Sequence, residues 1–179
     1  MRSSNRVVIA AAGSGKTEYL LNAAISEPHK RVLIVTYTNE NLREINSRLW
    51  AKLGGPAPNV TTMTWFEFML RDGVKPYQSY KTTIGRIRSI NFIKSKAPRF
   101  TERSDFERYY LDRSDNIYSD AVSDLACVLN ELSKGKVIGR IEAIYDKILI
   151  DEVQDLAGYD LDFLDLLLAS RVEVVMVGD

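Results

Sequence analysis

Short apolar runs alternate with amphipathic stretches over most of this chain. The runs are Arg6-Val7-Val8-Ile9-Ala10, Val32 to Tyr37, Lys147-Ile148-Leu149-Ile150-Asp151 and Val172 to Val177, with a weaker one at Val60-Thr61-Thr62-Met63. Mostly continuous apolar runs of this length predict strands buried on both faces, as in a parallel sheet. Between them, Tyr19, Leu20, Ala23 and Ala24 form a helical stripe ended by Pro28. Leu42, Ile45, Leu49 and Leu53 form a second, ended by Gly54-Gly55-Pro56, and Leu161, Leu164, Leu167 and Leu168 form a third. Strands alternating with helices predict βαβ units and a doubly wound sheet.

The middle reads differently. From about Val74 to Arg140 no clear strand is visible. Ala121, Val122, Leu125, Leu129 and Leu132 mark an amphipathic helix, and a shorter helix is expected within 82–93. This predicts a mostly helical insert between two strands of the sheet. Internal repeats and low-complexity tracts are absent from the sequence.

Composition adds little until charge is mapped along the chain. The 179 residues carry 24 basic and 24 acidic side chains, with 45% apolar and 27% charged residues, as in an ordinary globular domain. Net charge gives no argument for nucleic acid. Yet Lys75, Lys81, Arg86, Arg88, Lys94, Lys96 and Arg99 lie in one segment without an acid, with Tyr77, Tyr80 and Phe92 among them. Cations interleaved with aromatics suit a groove that tracks a single strand. A solvated face with the aromatics packed beneath it accounts for them equally. The lone Cys127 and lone His29 exclude an internal disulfide and a Cys/His zinc site, and are read as a core residue and an exposed turn residue. With no apolar run long enough for a bilayer or a signal core, the expectation is a cytoplasmic protein with no membrane partner.

Two stretches carry chemistry. Ala10-Ala11-Ala12-Gly13-Ser14-Gly15-Lys16-Thr17 follows the first strand and opens the first helix. Glycines let backbone N–H groups close on phosphate oxygens, and the helix start adds unpaired donors. Lys16 would reach the terminal phosphates and the Thr17 hydroxyl would ligate Mg²⁺. The backbone from Ala12 through Gly13, Ser14 and Gly15 would form the cradle. Far along the chain, Asp151-Glu152-Val153-Gln154-Asp155 sets two carboxylates at the C-terminal end of an apolar strand, where open α/β sheets bind ligands. Asp151 would hold Mg²⁺ through water, and Glu152 would orient or deprotonate an attacking water.

Together these residues resemble a known set. Asp151 to Asp155 resembles the DExQD form of helicase motif II in the UvrD/Rep/PcrA group of superfamily 1 DNA helicases. Ala10 to Thr17 resembles that group's AxxGxGKT motif I. Val35-Thr36-Tyr37-Thr38-Asn39 resembles its motif Ia, usually TFTNKAA, and Val60 to Phe66 the motif usually read GTFHSF. Val177-Gly178-Asp179 resembles the start of motif III, GDxxQ. Tyr37 stands for a phenylalanine, Thr64 for a histidine and Trp65 for a small residue, and Glu40-Asn41-Leu42 replaces Lys-Ala-Ala.

The resemblance implies an α/β, RecA-like P-loop NTPase fold. Residues 1–73 and 141–179 would be the ATP-binding domain and 74–140 the insert. It implies ATP and Mg²⁺ as cofactors, and Gln154 as a γ-phosphate sensor coupling hydrolysis to movement. Thr36, Tyr37, Thr38, Asn39, Thr62 and Thr64 would line a single-stranded DNA path, Tyr37 stacking on a base or serving as a buried strand-end aromatic. A second motor domain, in cis, is expected beyond Asp179, so this segment alone would bind nucleotide and hydrolyse it feebly. Preference for adenine rests on the resemblance. The alternatives are a nucleotide-dependent regulatory or binding module without motor activity, and a small-molecule kinase, against which the DExQD and TxTN pair argues.

Overall fold

The computed structural model describes residues 5–9, 15–82, 86–93 and 105–179. Five parallel strands form the central sheet: β1 (Arg6–Ile9), β2 (Val32–Thr36), β3 (Val60–Thr64), β6 (Lys147–Ile150) and β7 (Glu173–Gly178), in the order β1-β7-β6-β2-β3. Helices α1 (Lys16–Ile25) and α2 (Asn39–Leu53) link the strands as crossovers, and α3 (Trp65–Phe68) follows β3 directly, running on into a π-helical turn at Met69–Val74.

Alternation along the strands divides the core between the two faces of the sheet. Val32 and Ile34 of β2, Leu149 of β6, and Val175 and Val177 of β7 face α1 and α2, where they meet Leu20, Leu21, Ala24, Ile45 and Leu49. Leu33, Val35, Ile148, Ile150, Val174 and Met176 face the other way, into the larger core. The expectation of strands buried on both faces holds for β2, β6 and nearly all of β7. It does not hold for β1, whose Val7 and Ile9 are exposed: among the described residues β1 is an edge strand paired with β7.

Between the π-helical turn and β6 the chain leaves the sheet. It forms β4 (Ile90–Asn91), α4 (Phe106–Tyr110), β5 (Ile117–Tyr118), α5 (Val122–Leu132) and α6 (Lys136–Ile144) before returning at β6, and α7 (Tyr159–Leu168) then connects β6 to β7. Two findings depart from the sequence reading. β4 and β5 pair in parallel as a small second sheet. The helix expected within 82–93 is not formed over 86–93, and residues 83–85 lie outside the described residues. Here the Ile87 amide donates to Gln78 Oε1 (2.8 Å), the Arg88 amide to the Asp115 carbonyl (2.9 Å) and the Ile117 amide to the Ser89 carbonyl (2.9 Å). Those bonds, with Ile87 fully buried, outweigh a helix propensity worth only tenths of a kcal/mol per residue.

The helices of this excursion pack against the sheet. Leu125, Ala126, Leu129, Val137 and Ile141 share one continuous core with Leu33, Val35 and Ile148 of the sheet. Trp65 ties that core together. Wholly buried, its indole Nε1 donates to Asp160 Oδ1 (2.7 Å) and lies 3.2 Å from Ser123 Oγ, joining α3 to α5 and α7. Its ring packs edge-on to Phe68 and Phe163.

At the opposite end of the sheet, Lys147 and Lys30 alternate with Glu27 and Glu173 in a four-charge cluster. Lys147 is only 5% exposed. A charge that deep persists only when paired.

Candidate functional site

The C-terminal ends of the parallel strands gather the chemistry-bearing residues on one side of the molecule. Gly15 opens α1 with φ 87°, a left-handed conformation that favours glycine, and this turns the chain into the helix with Lys16 as its first residue. Of the phosphate-cradle residues named above, Gly15, Lys16 and Thr17 are described. Ala12, Gly13 and Ser14 lie outside the described residues. Thr17 is half-buried in the first turn of α1.

β6 lies two strands from β1 with β7 between, so the acid pair after Ile150 stands across the sheet tip from Lys16. The Lys16 ammonium forms an ion pair with the Asp179 carboxylate and lies 3.7 Å from Glu152 Oε2. The hydrogen bond from Lys16 to Asp179, with the charges of Glu152 and Asp151 adding to it, raises the lysine's pKa. Lys16 and Asp151, so distant in sequence, therefore sense each other's charge in the fold.

Asp151 is 6% exposed, and its amide donates to the Val35 carbonyl at 2.8 Å, continuing the β2–β6 ladder. Burial pushes its carboxyl up to about 6, the neighbouring charge of Glu152 reinforces the shift, and Lys16 opposes it. Glu152 adopts φ 53°, a left-handed turn uncommon for a side chain with a Cβ. Such strain collects at functional sites, where the surroundings hold it in place. Gln154 completes the group: its Nε2 donates to Glu152 Oε2 at 2.6 Å, and its Oε1 accepts from the Asp179 amide at 3.3 Å.

The residues assigned to a strand path lie at the tips of β2 and β3. The register pairs Ile34 with Thr62 and Thr36 with Thr64. Thr36 is buried, and its Oγ1 has no hydrogen-bond partner. It follows Val35 as Asp151 follows Ile150, so the two stand side by side at the sheet tip. Thr38 caps α2 by accepting from the Asn41 amide (3.2 Å), and Thr64 caps α3 by accepting from the Glu67 amide (3.2 Å). Thr62 donates to Asn46 Oδ1 at 2.7 Å. Asn39, the first residue of α2, is exposed. Tyr37 is half-buried, its ring edge-on to Phe66 with centroids 5.0 Å apart, and Phe66 meets Phe92 at 5.4 Å.

These rings line an open cleft of about 390 Å³, completed by Ser119, Asp120 and the turn at Ala157 to Asp160. In the sequence Phe92 stands only within the basic segment. Tyr159 and Asp120 gave no sequence signal, because the cleft joins segments that no motif spacing links. Of the basic residues, Arg86 and Arg88 are exposed, Arg88 Nε lies 3.8 Å from Asp115, and Lys75 donates to the Arg88 carbonyl at 3.0 Å. Lys94, Lys96 and Arg99 lie outside the described residues.

The site thus offers a cation at a helix start, two strand-tip acids and an orphaned hydroxyl. That donor set suits a phosphate chain with a hydrated Mg²⁺: an ammonium at a helix start can take phosphate in place of the exposed Asp179 carboxylate, and a buried acid beside an unpartnered hydroxyl is placed for a metal-bound water. Among the described residues no group of three or more His, Cys, Asp or Glu side chains is gathered to hold a metal. None of their helices is long and apolar enough to cross a membrane.

A family model described as the UvrD/REP helicase N-terminal domain matches residues 2–92 and 77–179. Among curated proteins none matches closely enough to be called a relative.

Proposed function

Since this chain belongs to the UvrD/REP helicase N-terminal domain family, we propose that it is the ATP-binding motor domain of a DNA helicase, coupling Mg-ATP hydrolysis to movement along single-stranded DNA in the complete protein. The observation that carries the reading is the meeting of Lys16 with Glu152 and Asp151 at one sheet tip. Backbone amides from Ala12 to Lys16 and the Lys16 ammonium bind the phosphates. Thr17 and Asp151 hold Mg²⁺, which neutralises phosphate charge when bound. Glu152 receives the proton of the attacking water as that water's oxygen bonds to the γ-phosphorus and the bond to the leaving ADP breaks. Gln154 links the acid turn to the tip of β7, the route by which phosphate state reaches the rest of the motor.

Most of the acceleration of such a step comes from positioning and charge. Arginines from a second motor domain would supply a large part of the charge, worth roughly 10³–10⁵ in rate in related phosphoryl-transfer systems.

The decisive experiment is titration of the chain with a fluorescent ATP analogue and Mg²⁺, before and after Lys16→Ala. Loss of about tenfold or more in affinity is expected, since the substitution removes a charge-assisted phosphate contact. Affinity that is unchanged by Lys16→Ala defeats the assignment.

A further inference from the structure

Gly178 is buried at the end of β7, in register with Ile9 of β1, and so stands beside the strand that leads into the glycine-rich loop. Its backbone does not call for glycine: the positive-φ glycines among the described residues are Gly15, Gly54, Gly135 and Gly158. Space does. A Cβ at Gly178 would press into Gln154 Oε1 well inside van der Waals contact and come within 3.0 Å of Val153 Cγ1. Gln154 lies across this bare backbone with both ends of its amide engaged, Oε1 by the Asp179 amide at 3.3 Å and Nε2 by Glu152 Oε2 at 2.6 Å. Lys16 approaches that same oxygen, at 3.7 Å.

We propose that Gly178 and Gln154 act together as a positioning device for Glu152. The glycine clears the passage by which the Gln154 side chain reaches from the turn after β6 to the tip of β7, and the amide fixes the rotation of a carboxylate carried on a left-handed turn. Both holding contacts fall on Oε2, which presents Oε1 to the attacking water. The idea rests on the reading of Glu152 given above. It makes Gln154 a positioning residue that acts through Glu152. A γ-phosphate sensor would instead touch the nucleotide. The two roles separate experimentally, because a lost phosphate contact weakens nucleotide binding, whereas a misaimed carboxylate slows the chemical step.

The test is a double-mutant cycle on the full chain with Gly178→Ala, Gln154→Ala and the pair together, plus Gln154→Met, which keeps the length of the side chain and removes its donor. Three quantities are read: the urea midpoint without nucleotide, the affinity for a fluorescent ATP analogue, and single-turnover ATP hydrolysis with protein in excess. Gly178→Ala should lower the midpoint and slow hydrolysis about tenfold, with affinity held within about twofold. In the Gln154→Ala background it should change hydrolysis by less than about twofold and regain most of the midpoint. Gln154→Met should be as slow as Gln154→Ala.

Multiplying effects of the two single changes, a Gln154→Met protein at full speed, or a fall in affinity that matches the fall in rate would each overturn the proposal. Should Gly178→Ala fail to fold, refolding of the double variant supports it and continued misfolding overturns it. Failure of the underlying reading shows elsewhere, as nucleotide binding indifferent to Lys16→Ala.

Discussion

Lys16 and Asp179, 163 residues apart in the chain, meet as an ion pair across the tips of neighbouring strands. The acid stands on the cation that, in the proposed function, receives the terminal phosphates. A bound phosphate chain must therefore displace the Asp179 carboxylate from Lys16, while the Asp179 backbone amide keeps its bond to Gln154.

Asp179→Asn should strengthen binding of nucleotide without Mg²⁺. Asp179 is about half exposed, and exposed ion pairs contribute roughly 0–1 kcal/mol, so the gain is at most about fivefold. Isothermal titration with ATP in the presence of a chelator measures it. A weaker complex would mean that Asp179 assists binding.

Asp151 should cost the nucleotide-free protein stability at neutral pH. Its carboxyl is raised from 3.8 to about 6, chiefly by burial. The folded state then binds more protons than the unfolded chain between those values, so stability is greatest below about 4, falls as pH rises through about 6, and stays low above it. Asp151→Asn removes the penalty. It should raise stability by about 1–3 kcal/mol at pH 8, and by nothing at pH 4, while abolishing hydrolysis. Urea unfolding at the two pH values reads the difference, and equal gains at both would show that charge is not the cause.

The sheet was legible because its signal is local. Apolar runs of four to six residues, each next to a helical stripe, mark β2, β6 and β7 and their connections. Lys16, Asp151 and Glu152 were legible for a related reason: strand tips point their following residues to one edge of a parallel sheet, so a motif after a strand already has an address. What escaped is what depends on long-range pairing. The two-residue strands β4 and β5 gain their hydrogen bonds from each other, and neither has a hydrophobic period of its own. Trp65, where a small residue is usual in the resembling motif, reads as a disturbance until Asp160 and Ser123 are seen to hold its indole nitrogen. The reason for glycine at 178 lies in a side chain from another turn, which nothing near it in the sequence reveals.

Tyr37 allows the strand path to be tested against plain packing. Its ring rests edge-on against Phe66 and it is half-buried, as a strand-end aromatic in either role would be. It also borders the open cleft, beside Phe92 and Tyr159, which are 63% and 40% exposed, and an unpaired base could enter there. Stacking on a base is worth about 1–3 kcal/mol, so as a platform Tyr37→Ala should weaken binding of a labelled oligothymidine roughly 5- to 150-fold. The slope of affinity against salt should not move, because no phosphate contact is removed. Tyr37→Phe keeps the ring and should restore affinity. Reversing Arg86, Arg88 and Lys94 together should also weaken binding, but should flatten the salt dependence if they track phosphates. Fluorescence anisotropy at several salt concentrations separates the two patterns. If Tyr37→Ala lowers the urea midpoint and leaves DNA affinity where it was, the ring belongs to the core alone.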